Sequence, residues 1–172
     1  MRKILLSIIS ILLIILFFCF FIGFKLDEGT IEIKLEQCID GDTAWFLVNN
    51  KREKIRFLGI DSPESTNYIE EYGKDASDYT CNLLKTSQNI YLEFESNSDR
   101  YDKYGRLLAY VFVDGKNISE LLLFNGYAQV KYIYGDYYYI DDLCNAEYNA
   151  YSKKIGIWNY SNYRYEDSYC VK

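Results

Sequence analysis

Three strand-forming runs follow one another within about thirty residues, and this succession leaves few folds open to the chain. From Thr30 to Cys38, Ile31, Ile33 and Leu35 alternate with Glu32, Lys34 and Glu36, the period-two pattern of a half-buried strand. Thr43 to Val48 is β-branched and aromatic and ends at Asn49-Asn50-Lys51, and a third run extends from Lys54 to Ile60. Together they read as a three-stranded meander. The period then changes, because Ala76, Tyr79, Thr80, Leu83 and Leu84 fall at helical spacing within Tyr72 to Leu84.

Asn89 to Glu95 alternates again, and Leu107 to Val113 is a continuous apolar strand closed by an Asp114-Gly115 turn. Asn117 followed by Glu120 signals the start of a helix carrying Ile118, Leu121, Leu122 and Phe124 and stopped near Asn125-Gly126. A last helix is predicted over Asp141 to Lys154, with Leu143, Ala146 and Ala150 inward. Three strands, a helix, two strands and two helices predict an α+β fold: a five-stranded Greek-key barrel of the OB-fold type with three packed helices. Trp45 and Trp158 are expected in its core.

Residues 4 to 24 form an uncharged apolar run preceded by Arg2 and Lys3. As a helix at about 1.5 Å per residue it spans the roughly 30 Å of a bilayer's hydrocarbon core. The expected division is therefore an N-terminal hydrophobic helix in residues 1–26 and one folded domain in residues 27–172. A signal anchor and a cleaved signal peptide both place that domain across the membrane, and the length of the run with no small-residue cleavage site favours the anchor.

Of five cysteines, Cys19 lies in the apolar run, and Cys38, Cys81, Cys144 and Cys170 remain for the exported part. Four cysteines in an oxidising compartment permit two disulfides in three possible pairings. The chain has no histidine and no CxxC motif, which excludes His-based triads and zinc sites of the usual kinds. Setting Arg2, Lys3 and Lys25 aside leaves 16 basic against 25 acidic residues in the exported part, a net charge of −9. Such a domain is ill suited to nonspecific wrapping of nucleic acid, so any attraction to phosphates must be local.

Three polar segments supply it: Cys38 to Thr43, Arg56 to Glu64, and Arg100 to Arg106. Asp40 and Asp42 flank Gly41 where the second strand starts, and Asp61 ends the third, so a meander brings three carboxylates to one rim. Carboxylate and carbonyl oxygens suit a hard, geometrically tolerant cation such as calcium. Taken alone, Asp40-Gly41-Asp42 is equally a turn. Glu64 follows Pro63, whose fixed φ stiffens the path to a carboxylate able to deprotonate water. Arg56 lies within a strand pattern between Ile55 and Phe57, and Arg106 at the entry to the fifth strand; a charge in such a place is either paired or functional, and their planar forks match phosphate oxygens. Lys103, Tyr104 and Tyr132 suit a terminal phosphate and a base face.

In this order the segments resemble the staphylococcal thermonuclease (micrococcal nuclease) family. The likeness continues through Tyr72-Gly73-Lys74-Asp75-Ala76-Ser77, Leu108 to Lys116, Gly126-Tyr127-Ala128-Gln129-Val130 and Gly156-Ile157-Trp158, spanning residues 31 to 160. It implies calcium-dependent cleavage of DNA and RNA to products ending in a 3′-phosphate. Carried over, the metal carboxylates fall on Asp42 and Asp61, the carbonyl ligand on Ser62, and a neighbouring acid on Asp40. The general base falls on Glu64, the transition-state arginines on Arg56 and Arg106, and the nucleotide contacts on Lys103, Tyr104 and Tyr132. The loop after Glu64 departs from the family's best-known member, being shorter and carrying Glu70 and Glu71 in place of lysines.

The expected partners are DNA and RNA as substrate and a membrane through residues 4–24. No protein partner is expected, and the domain reads as a monomer. The rival reading is a noncatalytic OB-fold module that holds nucleic acid on the cell exterior; a structural calcium site without a nucleic-acid role is a third.

Overall fold

Asn49 and Asn50 set the register of the first hairpin. In the computed structural model, which describes residues 29–66, 68–160 and 162–171, both have positive φ, 50° and 63°. Asparagine tolerates this conformation, and its twist matches that of the strands it joins. The turn links β2 (Thr43–Val48) to β3 (Lys51–Phe57), pairing Val48 with Lys51 and Thr43 with Arg56. The third strand thus starts before the apolar run that announced it, since the hairpin pairs Lys51, Arg52 and Glu53 whatever their polarity. It also stops at Phe57. After Leu58-Gly59 the chain forms a separate short strand, β4 (Ile60–Asp61).

The barrel closes around this hairpin. β1 (Thr30–Cys38) runs antiparallel to β2 on one side and neighbours β5 (Ile90–Glu93) on the other. β6 (Leu107–Val113) is antiparallel to β5 and parallel to β3, with Ile55 opposite Leu107 and Phe57 opposite Ala109. β7 (Lys116–Asn117) extends β6, and β8 (Gln129–Val130) pairs with β4. The result is a closed five-stranded barrel with three helices, α1 (Gly73–Thr86), α2 (Ile118–Phe124) and α3 (Ile140–Ser152). Asn117 caps α2, its side chain accepting from the Ser119 N–H at 3.0 Å.

Phe46, Ile55, Leu92, Val111, Leu122 and Leu143 are fully buried in one core shared by barrel and helices. Trp158 is buried as expected, in a smaller cluster with Ala150 and Ile157. Trp45 is not in the core. The alternation of β2 sends Ala44, Phe46 and Val48 inward and leaves Trp45 half-exposed outside, where the Arg52 guanidinium lies 4.2 Å from its ring centre.

The four cysteines pair as Cys38–Cys81, joining β1 to α1, and Cys144–Cys170, joining α3 to the C-terminal turns. Among the described residues no helix is long and apolar enough to cross a membrane. The apolar run 4–24, and with it the expected division after residue 26, lies outside the described residues.

Glu147 on α3 is fully buried, accepting from the Val130 N–H at 2.8 Å and from the Ser168 hydroxyl. Burial pushes its carboxyl up to about 7, against these two hydrogen bonds and nearby Lys131, which favour ionisation. A carboxyl whose folded pKa lies above its unfolded value contributes fully only while protonated in both states. That contribution is lost as pH rises from the unfolded value through about 7. Glu147→Gln keeps a neutral acceptor at this place, so the difference in stability between variant and wild type should move in the variant's favour by about 2–3 kcal/mol between pH 5 and pH 8. Paired urea melts with the disulfides intact check this; a pH-independent difference would show that Glu147 stays ionised throughout.

Candidate active site

The turn between β1 and β2 is fixed by its neighbours on three sides. Thr80 of α1 donates its hydroxyl to the Gly41 carbonyl at 2.6 Å, and the Ser65 hydroxyl donates to Asp40 Oδ1 at 2.9 Å. Gly41 packs so tightly on Ser62 that a Cβ would fall 2.6 Å from the Ser62 Oγ. Only glycine leaves room for the two aspartates to reach the same rim.

Asp42 is buried and makes three polar contacts, which leave part of its Oδ1 free to accept. Its Oδ2 accepts from the Ser62 N–H at 2.9 Å and pairs with Arg56 Nη1 at 3.0 Å, and its Oδ1 accepts from the Thr43 hydroxyl at 2.9 Å. Arg56, itself buried, reaches across to Asp61 Oδ1 with Nη2 at 3.0 Å and donates from Nη1 to the Phe57 carbonyl at 3.2 Å. One guanidinium therefore holds both candidate ligand carboxylates, so the pairing expected of a buried arginine is present. One Nη2 hydrogen and the Nε hydrogen are not used in these bonds.

Glu64 reaches solvent, yet its backbone is clamped. Its N–H donates to Glu70 Oε2 at 3.0 Å, its carbonyl accepts from the Glu70 N–H at 2.9 Å, and a Cβ on Gly73 would meet that carbonyl at 2.0 Å. Pro63 is thus only part of what positions it: Glu70, which had looked like a mere charge departure, ties the loop shut. Partial burial comes first among the causes that push the Glu64 carboxyl up to about 7, followed by the adjoining Asp40 carboxyl and the charges of Asp42 and Asp61. Partial burial also raises Asp61, with Asp42 adding to it and Arg56 opposing. Asp42 and Asp61 share one arginine, and the charges of Asp40, Asp42 and Asp61 are felt at Glu64, an excess of negative charge that a bound cation would relieve.

Among the described residues no three acidic or cysteine side chains converge as a ready metal cage. The residues fit a cation that draws its remaining ligands from backbone carbonyls and water, as calcium does. Asp42, Asp61 and the Ser62 carbonyl are the donors available.

Arg106 approaches from β6. Its Nε pairs with Asp102 Oδ2 at 2.6 Å, and its N–H donates to Asp102 Oδ1 at 2.9 Å, as does the Tyr104 N–H. Partial burial works to raise Asp102, but the hydrogen bonds from Arg106 and Tyr104 outweigh it and hold the carboxyl below its usual range. Asp102 thus aims Arg106, a role the sequence reading missed; its position four residues before the arginine was the available signal.

Arg56, Asp61, Glu64, Lys103, Tyr104, Arg106 and Tyr132 all line one cavity of about 850 Å³. Asp40, Asp42 and Ser62 are buried and do not line it, Asp42 meeting its lining through Arg56. Tyr104 is 72% exposed, flanked by Lys103 Nζ at 5.0 Å and the Arg106 guanidinium at 5.5 Å from its ring centre. Tyr132 is held at φ 62°, an unusual conformation for a bulky residue, with its ring centre 5.7 Å from the Arg56 guanidinium. Tyr134, Tyr101 and Lys54 line the same cavity and were not singled out from sequence, where nineteen tyrosines hide any one.

Comparison with known proteins matches residues 54–160 to the family described as staphylococcal nuclease homologue. Endonuclease YncB of Bacillus subtilis (strain 168) is 41% identical over 143 residues, covering 81% of this chain and 67% of that protein. The SPbeta prophage-derived endonuclease YokF of the same organism is 39% identical over 148 residues, and the match covers 83% of this chain but only 49% of YokF. The thermonuclease of Staphylococcus hyicus is 34% identical over 129 residues, covering 73% of this chain and 75% of that protein. With the closed barrel, the shared cavity and a family match over most of the folded unit, the chain belongs to the staphylococcal nuclease homologue family.

Proposed function

We propose that this chain is a calcium-dependent nuclease that hydrolyses phosphodiester bonds of DNA and RNA outside the cytoplasm and leaves 3′-phosphate ends. Its endonuclease and thermonuclease relatives support a nuclease function. The observation that carries the finer reading is the single cavity faced by Arg56, Asp61, Glu64 and Arg106. It offers an acid-rich wall, a carboxylate base and two guanidinium groups within one space.

In this reading Asp42, Asp61 and the Ser62 carbonyl hold the calcium ion, which when bound offsets charge on a nonbridging phosphate oxygen. Glu64 takes a proton from a water molecule as its oxygen forms a bond to phosphorus. The P–O5′ bond breaks, and the leaving oxygen collects a proton from solvent. Arg56, through its uncommitted Nη2 and Nε hydrogens, and Arg106, aimed by Asp102, donate to the equatorial oxygens as their charge grows. Tyr104 and Tyr132 offer ring faces to the flanking bases, and Lys103 a charge to a terminal phosphate.

The export proposal rests on the apolar run behind Arg2-Lys3 and on two disulfides, which persist in oxidising surroundings. The domain is then tethered to the membrane through residues 4–24, or released if that segment is cleaved.

The test uses the full chain, purified in detergent with its disulfides formed and incubated with single-stranded DNA or RNA in calcium or in excess chelator. Cleavage only with calcium, to fragments that a 3′-phosphatase can dephosphorylate, is expected. No cleavage in either condition by folded protein that still binds the strand would favour the noncatalytic module.

A further inference from the structure

The cavity reaches well beyond the groups that the reaction uses. At about 850 Å³ it lies near the top of the roughly 300–1,000 Å³ range of small-ligand sites, and Lys54, Ser98, Asp99 and Tyr101 line it as well. Lys54 and Arg56 are two residues apart on β3, with Ile55 and Phe57 buried in the barrel between and beyond them. Both side chains therefore leave the same outer face, about 7 Å apart along the strand. That separation is comparable to the distance between consecutive phosphates of an extended single strand.

The neighbouring cations are committed elsewhere. Arg52 pairs with Glu36 at 2.8 Å while stacking on Trp45, and Lys51 pairs with Glu53. Among the described residues Lys54 has no ion pair. It is a half-buried lysine facing the cavity that holds the reaction's arginines.

Tyr101 lines the same cavity and is 45% exposed, and the strand partner of its neighbour Leu107 is Ile55, next to Lys54. Its backbone is bridged to Leu107, the adjoining Arg100 carbonyl accepts from the Leu108 N–H at 3.0 Å, and the Arg100 guanidinium lies 3.2 Å from the Phe94 ring centre. A ring carried on so anchored a backbone suits a stacking platform. Asp99 lines the cavity too, and its charge offsets part of the attraction. Lys54 is therefore the cation on which a second phosphate there depends.

We propose that Lys54 and Tyr101 form a subsite for a second nucleotide, Lys54 binding the phosphate next to the scissile one and Tyr101 stacking its base, so that the preferred substrate is a single strand of three or more nucleotides. The proposal rests on the phosphodiesterase reading of this cavity. A dinucleotide has a single bridging phosphate, taken by Arg56 and Arg106. Only from the trinucleotide onward is there a phosphate for Lys54.

The experiment compares di-, tri- and octanucleotide substrates with the full chain in calcium. Wild type is expected to gain roughly tenfold in kcat/KM, through KM, from dinucleotide to trinucleotide. Lys54→Ala should remove most of that gain, Lys54→Arg restore it, and Tyr101→Ala lower it several-fold where Tyr101→Phe does not. Equal losses of Lys54→Ala on all lengths, or a fall in kcat, would mean that Lys54 merely supports Arg56 and would overturn the subsite. Fluorescence anisotropy with labelled di- and trinucleotides separates this from the nuclease reading. A protein that cleaves nothing but binds the trinucleotide tighter through Lys54 keeps the subsite and loses the nuclease; one with no length preference in binding or cleavage loses the subsite.

Discussion

Glu64→Gln is expected to lower turnover on single-stranded DNA by roughly 10²–10⁴-fold, the usual worth of a positioned general base. The substitution removes the proton acceptor and little else. The bonds that hold the backbone of residue 64, to Glu70 and against Gly73, survive the change, and at the side chain only the contact with Asp40 alters, where an amide can still donate. Its side chain reaches solvent rather than the core, so no cavity is created. Loss of one carboxylate beside Asp40, Asp42 and Asp61 relieves repulsion, and without calcium the variant should melt at or slightly above the wild-type temperature. Substrate affinity should change far less than kcat if, as proposed, Arg56, Arg106, Tyr104 and Tyr132 hold the phosphate and bases. Initial rates over a range of substrate concentration, with thermal melts alongside, separate these effects. A Glu64→Gln protein that retained full calcium-dependent turnover would remove Glu64 from the mechanism.

How far the sequence disclosed this arrangement varied with the physics involved. The order of strands and helices was legible because burial imposes its period on the residues that carry it: Ala44, Phe46 and Val48 inward, then Ala76, Thr80 and Leu84 on one helix face. The candidate site residues stood out because they interrupt such patterns, as Arg56 does between Ile55 and Phe57. Trp45 misled because hydrophobicity alone does not say which face of a strand a residue takes; the alternation of its neighbours does. The start of β3 was obscured because its first residues are charged, and only the Asn49-Asn50 turn places them. Disulfide pairing was closed to sequence reading, being a statement about which segments meet in space. So was the meeting of Lys54 and Tyr101 at one cavity, which depends on β3 and β6 lying parallel, whereas the clasp of Asp102 on Arg106 left its four-residue spacing as a signal that went unread.

Reduction of both disulfides is expected to lower the melting temperature by roughly 15–25 °C. Cys38–Cys81 closes a sequence separation of 43 and Cys144–Cys170 one of 26, for which loop-closure entropy gives about 4 and 3.5 kcal/mol. Their sum is comparable to the whole stability of many domains, about 5–15 kcal/mol. The two bonds should differ in what else they do. Cys144–Cys170 fastens α3 to the C-terminal turns, where Ser168 meets Glu147, so Cys144→Ala/Cys170→Ala should cost stability with little effect on the site. Cys38 precedes Asp40 by two residues, and Cys81 follows Thr80, whose hydroxyl holds the Gly41 carbonyl. Cys38→Ala/Cys81→Ala should therefore loosen the turn that carries Asp40 and Asp42, and weaken calcium binding beyond what its lost stability explains. Calcium titration by calorimetry at a temperature where both double variants are fully folded isolates that difference. Equal calcium affinity in the two would make Cys38–Cys81 a staple of the fold alone, and a reduced wild type melting within a few degrees of the oxidised protein would show that the barrel core suffices without either bond.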